Sequence, residues 1–151
     1  WEFPQMIDHV EKIKKLVENA VAPFYATEGA AGMDLTATSK RYDNENNVVY
    51  GVGLAFEIPQ GYVGLLFPRS SNAKKDLLLS NSVGCLDSDY RGEVSFKFKR
   101  IKKLFKKSKE YEVGDRIGQI VIVKIPTIEF VESEKLSETE RDCGSYGSTG
   151  K

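Results

Sequence analysis

Histidine is almost absent from this sequence: His9 is the only one, and it stands near the N-terminus. A Ser-His-Asp or Cys-His nucleophile system would have to be assembled around that terminal residue. Cysteine is nearly as scarce. Cys85 and Cys143 show no CxxC spacing, and two cysteines with one histidine cannot furnish the usual tetrahedral zinc set, which also removes zinc-dependent base deamination. With no secretory h-region, they point to a reducing intracellular compartment, cytoplasm or nucleus, rather than to a disulfide framework. No apolar run approaches the ~20 residues of a membrane span. Net charge is missing too: 22 basic residues balance 22 acidic ones, so no global charge argues for a membrane or nucleic acid, and neither partner is expected.

What remains narrows the chemistry. Proton transfer would have to come from carboxylates, lysine or tyrosine, and a hard, oxygen-bound metal such as magnesium stays possible. A chain of 151 residues fits one domain and could bury roughly 68–70% of its unfolded surface.

Along the chain, WEFPQ before Met6 reads as a remnant of cloning and is left out of fold reasoning. Lys12 to Val17 predicts a first strand. Glu28 to Ala37 carries Gly29, Gly32 and, between Met33 and Leu35, Asp34, which suits either a strand-end carboxylate or a ligand contact. Arg41 to Asn47 reads as an exposed loop. Val48 to Tyr50, Leu54 to Ile58 and Tyr62 to Phe67, separated by Gly51, Gly53, Pro59 and Gly61, predict short strands at the spacing of a sandwich or barrel. Pro68 to Lys75 breaks the pattern: Arg69 is a planar fork of donors, and Ser70 and Ser71 can cap a short helix whose free amides attract anions.

Leu79 to Val94 is the stretch around which the rest is organised. An apolar approach leads into an acidic turn with Asp87, Asp89 and Tyr90, then Gly92 and the alternating Val94, Phe96, Phe98. Locally it reads as a β-hairpin, which most often is purely structural. Phe96 to Lys109 concentrates eight basic residues and predicts a basic strand pair turning at Lys106 to Ser108. It suits a solvated edge guarded by lysine, or an electrostatic lure for a phosphorylated ligand or nucleic acid. Val113 to Ile125 runs from a Gly-Asp turn into a buried strand with Arg116 and Gln119 at its head. Ile128 to Val131 predicts one more strand, and Glu132 to Glu140 a surface loop. Arg141 to Lys151, rich in glycine and serine around Tyr146, is either disordered or able to bring amides and hydroxyls to a phosphate; it is not a Walker A loop.

Five segments, AGMDL (31 to 35), PRSS (68 to 71), NSVGCLDSDYRGE (81 to 93), GDRIGQ (114 to 119) and RDCGSYGSTG (141 to 150), resemble in order and spacing the five motifs of the trimeric dUTP diphosphatases. The resemblance implies an all-β fold, a distorted jelly-roll or β-clip protomer with one short helix, assembled as a homotrimer with shared active sites. The domain would span residues 6–138, and residues 139–151 would form a mobile C-terminal lid. It implies magnesium-dependent hydrolysis of dUTP to dUMP and pyrophosphate, keeping uracil out of DNA and supplying dUMP for dTTP synthesis.

Carried onto this chain, Asp87 would be the general base that activates water, and Asp34 would hold magnesium through its water shell. Arg69, Ser70, Ser71 and Gln119 would hold the triphosphate. Gly84, Cys85 and Leu86, with Asn81 and Ser95, would receive uracil and deoxyribose, and Tyr90 would exclude a 2′-hydroxyl. From the lid, Arg141 would meet the γ-phosphate, Tyr146 would stack on uracil, and Gly147, Ser148 and Thr149 would close around the phosphates.

The chain departs from the family at Asp142 where glycine is usual, at Gly144-Ser145-Tyr146 before the final Gly-Ser, and at Ser71. The basic segment has no counterpart, and Cys85 replaces an aliphatic residue, reading as packing. Three alternatives stand beside this reading. A deoxycytidine triphosphate deaminase would need a glutamate where Ser95, Phe96, Lys97 and Phe98 stand. A catalytically weak, dUTPase-like nucleotide-sensing regulatory module would fit the altered lid. A nucleic-acid-binding β domain would use the basic segment.

Overall fold

The computed structural model describes residues 6–150, so the cloning-remnant reading of residues 1–5 lies outside the described residues. Ten strands form among them: β1 (Ile13–Lys15), β2 (Met33–Thr36), β3 (Ser39–Tyr42), β4 (Asn47–Gly51), β5 (Leu54–Phe56), β6 (Tyr62–Phe67), β7 (Leu77–Leu79), β8 (Gly84–Leu86), β9 (Ser95–Arg100) and β10 (Arg116–Lys124). The one helix among these residues is a 3-10 turn, Ser70–Lys74.

All pairings are antiparallel. One sheet has the order β2-β10-β6-β8, a second β3-β4-β9-β7, and β1 pairs with β5 as a two-stranded ribbon. Alternation decides the faces. Phe96 and Phe98 of β9 point inward while Ser95, Lys97 and Lys99 point out. The buried cluster joins Leu35, Leu66, Leu86, Ile117 and Ile120 of the first sheet to Val48, Tyr50, Leu77, Phe96 and Phe98 of the second. Each large side chain so buried contributes roughly 1.5–3 kcal/mol. Tyr50 lies edge-on to Phe98 at 5.9 Å and satisfies its hydroxyl on the Tyr111 carbonyl at 2.8 Å. At Gly118 the two sheets approach closely enough that a Cβ would run into the Phe96 ring.

Four local expectations fail, each for want of long-range information. Leu79 to Val94 contains tight turns but is not a two-stranded hairpin: β8 pairs with β6, whereas β7 and β9 pair with each other in the other sheet. Turn residues announce a reversal without naming the strand that wins the pairing. Lys97 to Lys109 supplies one strand, not two, since the chain after Arg100 finds no ladder. Ile128 to Val131 forms no strand, and Ile128, Phe130 and Val131 stand exposed with no neighbouring edge to pair with. The Arg41–Asn47 loop begins later than expected, because Ser39–Tyr42 is captured as β3 by β4 despite its polar sequence.

Candidate active site

Strand register gathers the first polar group. On β10, Gln119 lies opposite Asp34 of β2 on one side and Phe67 of β6 on the other. Phe67 is followed directly by Pro68 and Arg69, so three segments distant in sequence meet at one end of the sheet. Gln119 donates its amide to the Pro68 carbonyl at 3.0 Å. Gly32 is needed for this fit, since a Cβ there would sit 2.6 Å from Gln119 Oε1.

Asp34 is half-buried and gripped from both sides. Arg69 Nε stands 3.2 Å from its Oδ1, and Arg116 Nη1 stands 3.1 Å from its Oδ2. Arg69 also reaches the Arg116 carbonyl at 3.4 Å and Ser71 Oγ at 3.5 Å. The helical turn starts with Arg69 at its N-cap and no side-chain cap, so the expected serine cap does not form and Ser70 and Ser71 keep their hydroxyls for other partners.

Beside this group lies a cleft of about 460 Å³ whose lining includes Arg69, Ser71, Lys74, Lys75, Tyr111 and Arg116, with Asp115 as its one carboxylate. Four cations in so small a volume make it a place for an anion. Burial raises the Tyr111 hydroxyl above its ordinary pKa, against the pull of Arg69 and Ser71, so it stays protonated and donates to Asn72 Oδ1 at 2.9 Å.

The second group sits on the opposite side of β6. Gly84 and Leu86 are buried and Cys85 faces out; Gly84 lies against Leu66, where a Cβ would come within 2.9 Å of the Leu66 Cβ. Asp87 leaves the end of β8 exposed to solvent. The turn after it is held firmly: the Arg91 guanidinium donates to the carbonyls of Ser88 at 2.6 Å, Tyr90 at 3.1 Å and Phe56 at 3.4 Å. Tyr90 covers Gly92 and donates its hydroxyl to the Glu93 carbonyl at 3.0 Å, while the Glu93 carboxylate accepts the Gly53 amide at 2.9 Å.

At the other end of β8, Val83 N–H donates to the Asn81 carbonyl at 2.7 Å across Ser82, whose φ of 64° is left-handed. Such a three-residue turn is strained and holds the exposed Asn81 in one direction. Ser95, also exposed, opens β9 opposite Gly51.

The two groups do not touch. Leu86 faces Gly64 and Gln119 faces Phe67, on opposite sides of β6, which separates them by about 10 Å along the strand and about 10 Å across it. Among the described residues no hydrogen bond or ion pair links Asp87 to Asp34, Arg69 or Gln119. The third group, Arg141, Tyr146, Gly147, Ser148 and Thr149, is exposed, and the hydrogen bonds of its segment are local ones, such as Arg141 Nε to the Gly144 carbonyl at 2.9 Å. Asp142 adopts a φ of 48°, a left-handed conformation that glycine takes freely and aspartate tolerates.

Sequence reasoning named Arg116 without giving it a role, and it missed Arg91 altogether. Only its spacing inside the acidic turn could have signalled that Arg91 holds the turn together.

No three His, Cys, Asp or Glu come together among the described residues to hold a metal. A single half-buried carboxylate beside guanidinium groups fits the other way magnesium is held, mostly by water and substrate phosphates with one or two carboxylates.

Antiparallel sheets that carry a cationic cleft at one end and an exposed aspartate turn on the other side of a single strand define a β protein suited to a small anionic ligand. The family model described as dUTPase matches residues 18–150. The deoxyuridine 5′-triphosphate nucleotidohydrolase of Hydrogenobaculum sp. is 42% identical over 141 residues, covering 91% of this chain and 96% of that protein.

Among solved structures, a mutant dUTPase of Staphylococcus bacteriophage 80alpha with dUpNHpp superposes with a TM-score of 0.78 at 29% identity, covering 93% of this chain and 98% of that one. A mutant dUTPase from phage phi11 of S. aureus, described with a structural Mg(II) ion, gives a TM-score of 0.72 at 25% identity over 86% of this chain and all of that one. The chain belongs to the dUTPase family, and its activity is hydrolysis of dUTP. The jelly-roll, all-β expectation holds with it.

Proposed function

We propose that this chain cleaves dUTP to dUMP and pyrophosphate with Asp87 as the general base. A water oxygen forms the new bond to the α-phosphorus, the bond from that phosphorus to the bridging oxygen breaks, pyrophosphate leaves, and the Asp87 carboxylate takes the water proton. The observation that supports the phosphate assignment is the meeting of Asp34, Arg69 and Gln119 at one end of the first sheet, where Arg69 also lines the cationic cleft. Arg69, Ser70, Ser71 and Gln119 bind the triphosphate there. When bound, magnesium offsets triphosphate charge, and Asp34 holds its water shell.

The backbone of Gly84, Cys85 and Leu86, with the Asn81 amide, reads the uracil edge. Ser95 lies near the sugar, and Tyr90 packs beneath the deoxyribose. Cytosine offers an amino group where uracil offers a carbonyl, a buried mismatch on the order of 1–3 kcal/mol. The separation of Asp87 from the Asp34 and Arg69 group within one chain supports a homotrimer whose sites are completed between subunits. Residues 6–138 form the body. Residues 139–151 form a lid in which Arg141 meets the γ-phosphate, Tyr146 stacks on uracil, and Gly147, Ser148 and Thr149 close over the phosphates. The enzyme works inside the cell, removing dUTP before it reaches DNA and supplying dUMP for dTTP synthesis.

The test is pyrophosphate release with magnesium from dUTP, dCTP, dTTP and UTP in parallel, for the parent and Asp87→Asn. Release from dUTP alone, with turnover lowered at least ~10²-fold in Asp87→Asn and affinity kept within a few-fold, is the expected result. Unaltered turnover in the variant removes Asp87 from the role. Binding of dUTP without release in the parent would favour the nucleotide-sensing module instead.

A further inference from the structure

The balanced charge of the chain conceals a segregated one. From Val94 to Lys109 there is no acidic residue and there are eight basic ones. The structure sorts them. Lys97 faces Asp43 at 3.5 Å, Arg100 pairs with Glu110 at 2.8 Å, Lys103 pairs with Asp76 at 2.8 Å, and Lys99 donates to the Glu45 carbonyl at 2.6 Å. Lys102, Lys106 and Lys107 have no carboxylate partner among the described residues. They flank Leu104 and Phe105, which are 85% and 102% exposed.

The loop that carries them is closed at its base. Asp76 receives the Ile101 amide on its carbonyl at 2.9 Å, gives its own amide to the Lys109 carbonyl at 2.8 Å, and takes the Lys109 amide on Oδ2 at 2.7 Å. One buried residue thus ties both ends of residues 101–109 together, and the side-chain bond to Lys103 fixes one flank. Phe105 stands at the tip with a φ of 63°, a left-handed conformation that a bulky side chain rarely adopts.

We propose that this stapled loop is a docking site for single-stranded nucleic acid, separate from the substrate cleft. Three unpaired ammonium groups match a phosphate backbone by charge. A fully exposed aromatic ring offers a face on which an unpaired base stacks without regard to its identity. A duplex keeps its bases stacked inside, so it would meet the lysines and leave Phe105 idle. An anionic membrane would be gripped by charge as well, but two apolar side chains on a pinned loop present little of the apolar face that interfacial anchoring uses.

The experiment is fluorescence anisotropy of labelled oligothymidylate with the full chain over a series of salt concentrations, repeated with saturating dUMP, and in parallel flotation with phosphatidylserine vesicles. Binding should weaken as salt rises with a log–log slope of about −2, the value for three contacted phosphates on a single strand. A Lys102→Glu, Lys106→Glu, Lys107→Glu variant should lose at least ~10-fold in affinity at low salt. Phe105→Ala should weaken binding several-fold without changing the slope. All variants should hydrolyse dUTP at the parent rate, which also reports that they fold.

The proposal is overturned by no oligonucleotide binding at low salt. It is equally overturned by binding that dUMP abolishes while the lysine variant retains it, which would locate it in the substrate cleft. Flotation with vesicles in the absence of oligonucleotide binding would assign the loop to membranes and overturn it too. A failed proposal here leaves the dUTP assignments intact, because they rest on different residues and a different readout.

Discussion

Arg69 Nε lies 3.2 Å from Asp34 Oδ1, so the guanidinium assigned to the triphosphate is already paired with the carboxylate assigned to the metal's water shell. Arg116 occupies the second oxygen of the same carboxylate. The pairing holds Arg69 extended into the cleft and keeps Asp34 at one orientation, so neither group has to be ordered when substrate arrives.

The first prediction concerns that carboxylate. Asp34→Asn keeps the size of the side chain and its contact with Arg69 but removes its charge. Turnover of dUTP should fall by about 10-fold or more, with a higher magnesium concentration needed for half-maximal rate, as loss of one of the few carboxylates around magnesium implies. A magnesium titration of pyrophosphate release checks it. A variant with the parent's magnesium dependence would disconnect Asp34 from the metal.

The second concerns sugar selection. Gly92 leaves room for the Tyr90 ring, which a Cβ would strike, while the Tyr90 hydroxyl is tied to the Glu93 carbonyl at 3.0 Å. Gly92→Ala should push the ring off its seat at a cost of about 1–3 kcal/mol in stability, the usual range for overpacking. If Tyr90 excludes the 2′-hydroxyl, the ratio of kcat/KM for dUTP over UTP should drop in this variant. A lowered stability with an unchanged ratio would leave Tyr90 structural only.

How far the sequence carried the argument depends on the range of each interaction. Strands β4, β5, β6 and β10 were legible because each is an apolar run with its own punctuation, and Asp34, Arg69 and Gln119 were legible as members of motifs. Their meeting was not, because Asp34, Phe67 and Gln119 are joined only by register across three strands. The same reason explains the hairpin that was not one. Gly84–Leu86 and Ser95–Arg100 each look like half of a local pair, yet Gly84–Leu86 joins β6 in one sheet and Ser95–Arg100 lies between β4 and β7 in the other. Arg91 and Asp76 were invisible for a different reason. Both act by bonding backbone groups, and a carbonyl or amide has no signature in sequence.

A third prediction comes from Glu110, whose side chain is only 6% exposed and accepts from Tyr42 Oη at 2.8 Å and Arg100 Nε at 2.8 Å, with Lys40 Nζ at 3.3 Å. Burial is the largest single influence and raises its pKa. The three donors together outweigh it and hold the carboxyl below its ordinary 4.5. Because the folded value is the depressed one, the carboxylate's stabilisation is fully present above about 4.5 and is lost as pH falls through the folded value. Glu110→Gln should therefore cost about 1–3 kcal/mol near neutral pH, and the gap between variant and parent should narrow in acid. Urea midpoints at neutral pH and at successively lower pH below 4.5 follow that window. A gap that stays constant across it would deny Glu110 its charged role.

The last prediction separates the lid from the body. Hydrogen bonds in residues 139–150 are local, and Tyr146 is fully exposed, so ending the chain before Arg141 removes almost nothing that the body packs against. The unfolding midpoint should move by no more than the ~0.5 kcal/mol typical of surface changes. Activity should respond very differently. A stacked base is worth roughly 1–3 kcal/mol, and a hydrogen bond to a charged group about 1.5–3 kcal/mol. Losing Tyr146 and Arg141 together thus removes about 2.5–6 kcal/mol, which at about 1.4 kcal/mol per decade is a fall of roughly 10² to 10⁴ in kcat/KM. Tyr146→Ala alone should account for the stacking part, at about 10- to 10²-fold. Because the body's stability is measured on the same truncated protein, a collapse in rate cannot be blamed on unfolding. A truncated chain that turned over dUTP at the parent rate would show that residues 34, 69–71, 81–95 and 119 suffice without a cover.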